Sequence, residues 1–230
     1  MKALVTLPAL LLAFSTSPVL QAQTATPAAE PGPEPWQRTQ LHVGVGFATP
    51  QLRRGQALLA SQARRAAEGS YGAQVGSTLE IGFHKPVRAV PGLLLGASFR
   101  FSQTGSEPDA GYAEGYFFNP GLVTAAAKYY PLRQSAAQHF FVRAEGGVSL
   151  LTEKTRFVNA QGEQNFFHQF GVGAGALGGL GYSAALGRRK GLLLEPTVTY
   201  ELHNTRVEVN GIGDDQWRYG LLCGLLTLTF

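Results

Sequence analysis

The chain has 230 residues, 29 of them glycine, with 15% charged residues and a formal net charge of +4 at pH 7. That length suits one sizeable domain, and the small basic excess does not make a nucleic-acid-binding surface. Abundant glycine, little charge and no long apolar run beyond the N-terminus exclude both a bundle of membrane helices and a disordered chain, and the single cysteine, Cys223, excludes an intramolecular disulfide.

Residues 1–22 open with Lys2, continue through an apolar run from Ala3 to Phe14, and reach Leu20-Gln21-Ala22 before Gln23. These are the three regions of a secretory signal peptide, and the run falls short of the roughly twenty residues a spanning helix needs. Cleavage there would lower the formal charge from +4 to +3 by removing Lys2. Residues 23–38 are rich in Ala, Pro, Thr and Glu and are expected to form an extended periplasmic linker.

From residue 39 to 230 the chain reads as one all-β domain. Leu41, Val43, Val45 and Phe47 alternate with His42, Gly44, Gly46 and Ala48, a first strand. Thr49-Pro50 carries the signature of a helix N-cap followed by proline, so a helix is expected between there and Gly69. It would hold Arg53, Arg54, Arg64 and Arg65, candidates for contact with lipopolysaccharide phosphates; a solvated loop helix is the plainer reading of the same charges.

The most informative stretch is Tyr71 to His84. Tyr71, Ala73, Val75, Ser77, Leu79, Ile81 and Phe83 form one face; Gly72, Gln74, Gly76, Thr78, Glu80, Gly82 and His84 form the other. The period is that of a strand, but the run exceeds the usual five or six residues of a soluble sheet. Its polar face carries glycine and single polar groups rather than the many charges that bulk water would favour. Apolar side chains facing lipid and polar ones facing a crowded interior explain both features.

A turn at residues 85–92 leads to a strand with Leu93, Leu95, Ala97, Phe99 and Phe101 outward. If that turn centres near Val87 to Ala89, Glu80 lies diagonally across from Arg100. A fourth strand falls within residues 112–130, with a bulge or irregularity expected at Pro120. A fifth has Phe140, Val142, Ala144, Val148 and Leu150 outward, and a glycine-rich sixth spans residues 166–182. A seventh alternates Leu194, Pro196, Val198, Tyr200 and Leu202 with Glu195, Thr197, Thr199 and Glu201. In the eighth, residues 217–230, an outward Phe230 places Leu228, Leu226 and Leu222 outward as well, but then Leu221 and Leu225 point inward. Polar loops are expected at 104–111, 151–165 and 203–216.

Eight strands joined by alternately long and short connections describe an antiparallel up-and-down transmembrane β-barrel with short periplasmic turns and longer external loops. An even strand count lets the sheet close and removes the edges that lipid would not tolerate. The signal sequence, the eight strands, the loop alternation and the terminal Leu226-Thr227-Leu228-Thr229-Phe230 resemble the OmpA/OmpX-like family of small outer-membrane β-barrels. The resemblance implies outer-membrane lipid and lipopolysaccharide as surroundings and a monomer as the working unit. It also implies that Phe230 is part of the signal read by the barrel assembly machinery. With no peptidoglycan-binding domain after the barrel, the barrel-only, porin-like OmpX form is the nearer match.

By strand parity the interior gathers Glu80, Glu145, Glu195 and Glu201 with Arg100, Lys128 and Arg143. A near balance of four acids and three bases suits a paired plug, or a gated ion path through exchanging salt bridges. Gly173-Ala174-Gly175-Ala176-Leu177-Gly178 matches a dinucleotide-binding pattern, but it lacks the following helix and is read as close strand packing. His42, His84, His139, His168 and His203 are scattered without metal-ligand spacing and are read as ordinary barrel and rim residues. His168 has no nearby serine to suggest a lipid-modifying site. The reading from sequence is thus a non-enzymatic barrel without metal, cofactor or nucleic-acid partner, acting through its external loops on a surface partner or on envelope integrity. A narrow channel or small-ligand carrier, and a lipid A-modifying enzyme, are its rivals.

Overall fold

The computed structural model describes residues 34–54, 75–106, 114–132, 139–158, 164–186, 191–209 and 213–230. After a 3-10 turn at Pro35–Gln37 come nine strands: β1 (Gln40–Arg54), β2 (Gly76–Pro86), β3 (Leu93–Ser106), β4 (Glu114–Tyr129), β5 (Phe140–Val158), β6 (Gln164–Tyr182), β7 (Ala184–Ala185), β8 (Leu193–Val209) and β9 (Gly213–Thr229). The two-residue β7 continues β6 past Ser183 and pairs with the start of β8, so the wall has eight staves.

Every pairing is antiparallel between sequence neighbours, β6 pairs with β8, and β1 pairs with β9. The sheet is therefore a closed ring, and no long strand has a free edge in the region where all are paired. At the seam the last residue joins the first strand: Leu41 N donates to Phe230 O (3.2 Å), and Phe230 N donates to Leu41 O (2.8 Å).

Alternation along each strand decides which side of the wall is which. Leu41 is 61% exposed and Val198 60%, whereas Glu80 is fully buried and Arg100 is 2% exposed. Apolar residues face out and charged ones face in, the inverse of a water-soluble barrel. On β8 the outward row runs Leu194, Pro196, Val198, Tyr200, Leu202 and then changes to Asn204, Arg206 and Glu208. Eight steps of roughly 3.4 Å, tilted by about 40°, give an apolar band about 21 Å tall, close to the ~25 Å band of a lipid-spanning barrel. On β9, Leu222, Leu226 and Phe230 are exposed while Leu221 and Leu225 are buried, which settles the facing of that strand.

Several local expectations are corrected. Thr49 and Pro50 do not start a helix: β1 runs on to Arg54, held by β9 through Thr49↔Leu222 and Pro50↔Leu221. The ladder to β2 ends at Ala48↔Gly76, so Pro50 lies where the strand has β9 as its one described neighbour, a position at which a missing N–H is tolerated. The remainder of the expected helix, with Arg64 and Arg65, lies outside the described residues. The segments read as polar loops at 151–165 and 203–216 are largely strand, because β5, β6, β8 and β9 keep pairing beyond the apolar band, through Thr155↔Phe167 and Arg206↔Gln216. Glu80 lies directly opposite Arg100 rather than diagonally, since the turn centres on Val90. At Pro120 the expected disturbance is an irregularity and not a bulge. The β3–β4 ladder lacks pairs between Phe101↔Gly121 and Thr104↔Phe118, but its register is the same on both sides.

Candidate functional site: the barrel interior

The interior is a stack of polar layers between two apolar ends. At the short-turn end, Leu94, Tyr130 and Phe141 form a buried cluster with Trp36 packed on it, the Trp36 and Tyr130 rings 5.6 Å apart. The 3-10 turn is tied to the wall by Gln40 Nε2, which donates to Pro35 O at 2.8 Å. The last residues of the expected linker thus pack on the barrel.

Above this end, Lys128 Nζ lies 2.6 and 2.8 Å from the two Glu195 oxygens and donates to Gln40 Oε1 at 3.0 Å. Ser183 and Thr229 donate to the same carboxylate. Lys128 Nζ also sits 4.2 Å from the Phe141 ring centroid, so an apolar end and a charged layer share one cation.

The middle layer is organised by Glu80, which accepts from Arg100 and, at 2.8 Å, from Arg143 Nη1. Arg100 Nη1 reaches across the barrel to Glu201 Oε1 (2.6 Å) and Thr199 Oγ1 (2.7 Å). Arg143 also pairs with Glu145, whose Oε2 accepts from Ser98 and Thr124, each at 2.6 Å. His42 Nε2 lies 3.1 Å from Glu80 Oε1, and its ring stacks on that of His84. The seven charged residues expected inside are all buried, and each has an opposite charge within 3 Å. Charges removed from water need that partnering to offset their lost hydration.

The upper layer contains an arrangement that sequence parity did not single out. Ser149 Oγ is 2.6 Å from His203 Nδ1, and His203 Nε2 is 3.0 Å from Glu201 Oε2. The His203 ring stacks on Tyr219, with centroids 4.6 Å apart. A signal was present: Ser149, Glu201 and His203 all fall on inward positions. What the sequence hid is that β5 and β8 are separated by β6, whose inward glycines leave room for side chains above it. A Cβ on Gly175 would come within 2.4 Å of Leu122 Cδ1 and 3.3 Å of Ser149 Cβ. The dinucleotide-like pattern is therefore close packing within an unbroken strand.

Serine, histidine and glutamate in a row have the connectivity of a nucleophilic relay. Here, however, Ser149 is fully buried beside the apolar end formed by Phe118, Leu151, Val207, Trp217, Tyr219 and Leu221. With its serine enclosed there, the relay links two staves, β5 and β8, by hydrogen bonds. His168 is exposed on the outer face, and among the described residues no group of three or more His, Cys, Asp or Glu side chains is placed to hold a metal ion.

A ring of eight antiparallel staves, apolar outside and ion-paired inside, decides the architecture. The chain has the fold of a small outer-membrane β-barrel. No protein-family model and no curated protein sequence matches it. Among solved structures it is similar to Neisserial surface protein A, at 15% identity and a TM-score of 0.42, over 84% of this chain and 97% of that one. It is similar also to Ail, the attachment invasion locus protein of Yersinia pestis, in complex with the heparin analogue sucrose octasulfate, at 12% identity, TM-score 0.46, and coverage of 84% and 99%. A third is OprG from Pseudomonas aeruginosa, at 13% identity, TM-score 0.41, and coverage of 84% and 97%. The barrel's expected lipopolysaccharide contacts divide between Arg53 and Arg54, whose backbone lies in β1, and Arg64 and Arg65, which fall outside the described residues.

Proposed function

We propose that this chain is a non-enzymatic outer-membrane protein whose strand-built external hairpins act in surface interaction or envelope integrity. The observation that carries this reading is the interior, in which an ion-paired core is capped by apolar clusters at both ends. Such a filling supports rigidity rather than transport or turnover, and leaves the polar extensions of β5, β6, β8 and β9 as the surface available to partners. In this reading residues 1–22 direct export, residues 23–38 precede the barrel in the periplasm, and Phe230 serves recognition by the assembly machinery. Arg53, Arg54, Arg64 and Arg65 would meet lipopolysaccharide, and the barrel works as a monomer.

The test is complementation of cells lacking the protein, with either the intact chain or one shortened at residues 159–163 and 210–212. Surface attachment and detergent resistance are the readouts, and the heat-dependent gel shift checks folding. Recovery with the intact chain alone is expected. Equal recovery with a folded, shortened chain would overturn the role assigned to the hairpins.

A further inference from the structure

The outer wall is not uniformly smooth. Across β6, β8 and β9 a groove of about 740 Å³ is lined by Ala174, Gly175, Ala176, Leu202, Asn204 and Arg218, with the inward-facing His203 and Tyr219 of β8 and β9 at its floor. The volume lies within the roughly 300–1,000 Å³ of ordinary ligand sites. Its origin is local: Ala174 and Ala176 are short outward residues, and the next outward position on β9, Gly220, is occupied by the Tyr200 ring, whose Oη lies 2.4 Å from where a Cβ would stand.

The groove straddles the border of the apolar band. Its lower part, at Ala176 and Leu202, belongs to the band; its upper end, at Asn204 and Arg218, belongs to the polar extension. Arg218 is exposed and has no ion pair among the described residues, whereas nearby Arg206 is met by Asp214. In the β1–β9 register the residue opposite Arg218 is Arg54, so two arginine positions adjoin at this level. An apolar trough ending at unneutralised guanidinium is complementary to an acyl chain ending at a phosphate, and arginine's planar fork suits phosphate oxygens.

We propose that this groove holds one acyl chain of a phosphorylated glycolipid of the lipid A type, with its phosphate on Arg218. The choice of lipid A follows from the groove's position on the hairpin side of the wall and rests on the outer-membrane reading above. The experiment is native mass spectrometry of the detergent-purified full chain with added lipid A, dephosphorylated lipid A and phosphatidylglycerol. It compares the unaltered protein with Arg218→Ala, Ala176→Trp and, as a control, Arg206→Ala.

The expected result is a one-to-one lipid A complex that is retained by Arg206→Ala, weakened about tenfold by Arg218→Ala, the loss expected for one charge-assisted contact, and weakened also by Ala176→Trp, which fills the trough. Dephosphorylated lipid A should bind comparably weakly. Equal retention by all variants, or equal loss in Arg206→Ala, would overturn the site, and equal binding of phosphatidylglycerol would overturn lipid A as its occupant. Ala176→Trp faces outward and is checked for folding by its heat-dependent gel shift. Fractionating cells separately tests the outer-membrane reading, which can fail while the groove still binds lipid in detergent.

Discussion

Glu80 receives two guanidinium groups and lies beside His42. Removing it leaves Arg100 with Glu201 alone and Arg143 with Glu145 alone, so each buried guanidinium loses one of its two carboxylate partners. Glu80→Ala is expected to cost about 3–5 kcal/mol, the scale for stripping one partner from a buried pair, read as a lower urea midpoint for loss of the heat-shifted band. The Lys128–Glu195 pair offers the complementary case. Lys128→Met alone should be costly, whereas Lys128→Met with Glu195→Gln should recover much of the loss, because neither variant then leaves an unpaired charge. Ser149→Ala should cost only about 1 kcal/mol, one hydrogen bond, and leave surface attachment unchanged. A loss of attachment with the fold intact would instead assign the relay a chemical task.

At the scale of the strand, glycine separates positions where the wall needs bareness from those where it does not. A Cβ at Gly46 would stand 1.9 Å from Gly224 O across the β1–β9 seam, whereas Gly146 and Gly178 have nothing within 4 Å of such an atom. Gly46→Ala is therefore expected to lower the folded fraction on refolding into detergent, while Gly146→Ala and Gly178→Ala leave it unchanged. This scale also shows what the amino-acid order reveals and what it conceals. Inward and outward facing was legible because a period of two needs no partner to be recognised. Strand length was not: beyond the apolar band the outward row turns polar while Leu151, Val207 and Trp217 point inward, so the greasy-outside contrast is lost, and pairing such as Lys154↔His168 keeps the chain extended. Thr49-Pro50 misled for the same reason, a local capping signal being overridden by the ladder to β9. The interior network was legible as a set of charges but not as pairs, since Arg100 reaching Glu201 spans the barrel rather than neighbouring strands.

For the whole molecule, closure and filling together predict an electrically silent barrel. In planar bilayers the folded protein is expected to show no stepwise conductance. Neutralising Arg100 should destabilise the barrel without opening a path, because Arg100 belongs to neither of the apolar clusters that fill the interior. Steady channel openings in the unaltered protein would contradict this. The seam has a further consequence, in the order of events. Leu41 and Phe230 exchange backbone hydrogen bonds at the foot of a β1–β9 ladder that runs up to Arg54↔Arg218, so the first stave must wait for β9 before its second edge is satisfied. A chain that lacks β9 is an open sheet with two bare borders, the form most prone to pair with a stranger, and the loop-closure entropy falls due before the closing contact repays it. Such a sheet has no stable halfway house: loss of β9 should be felt not as a weaker barrel but as one that never shuts.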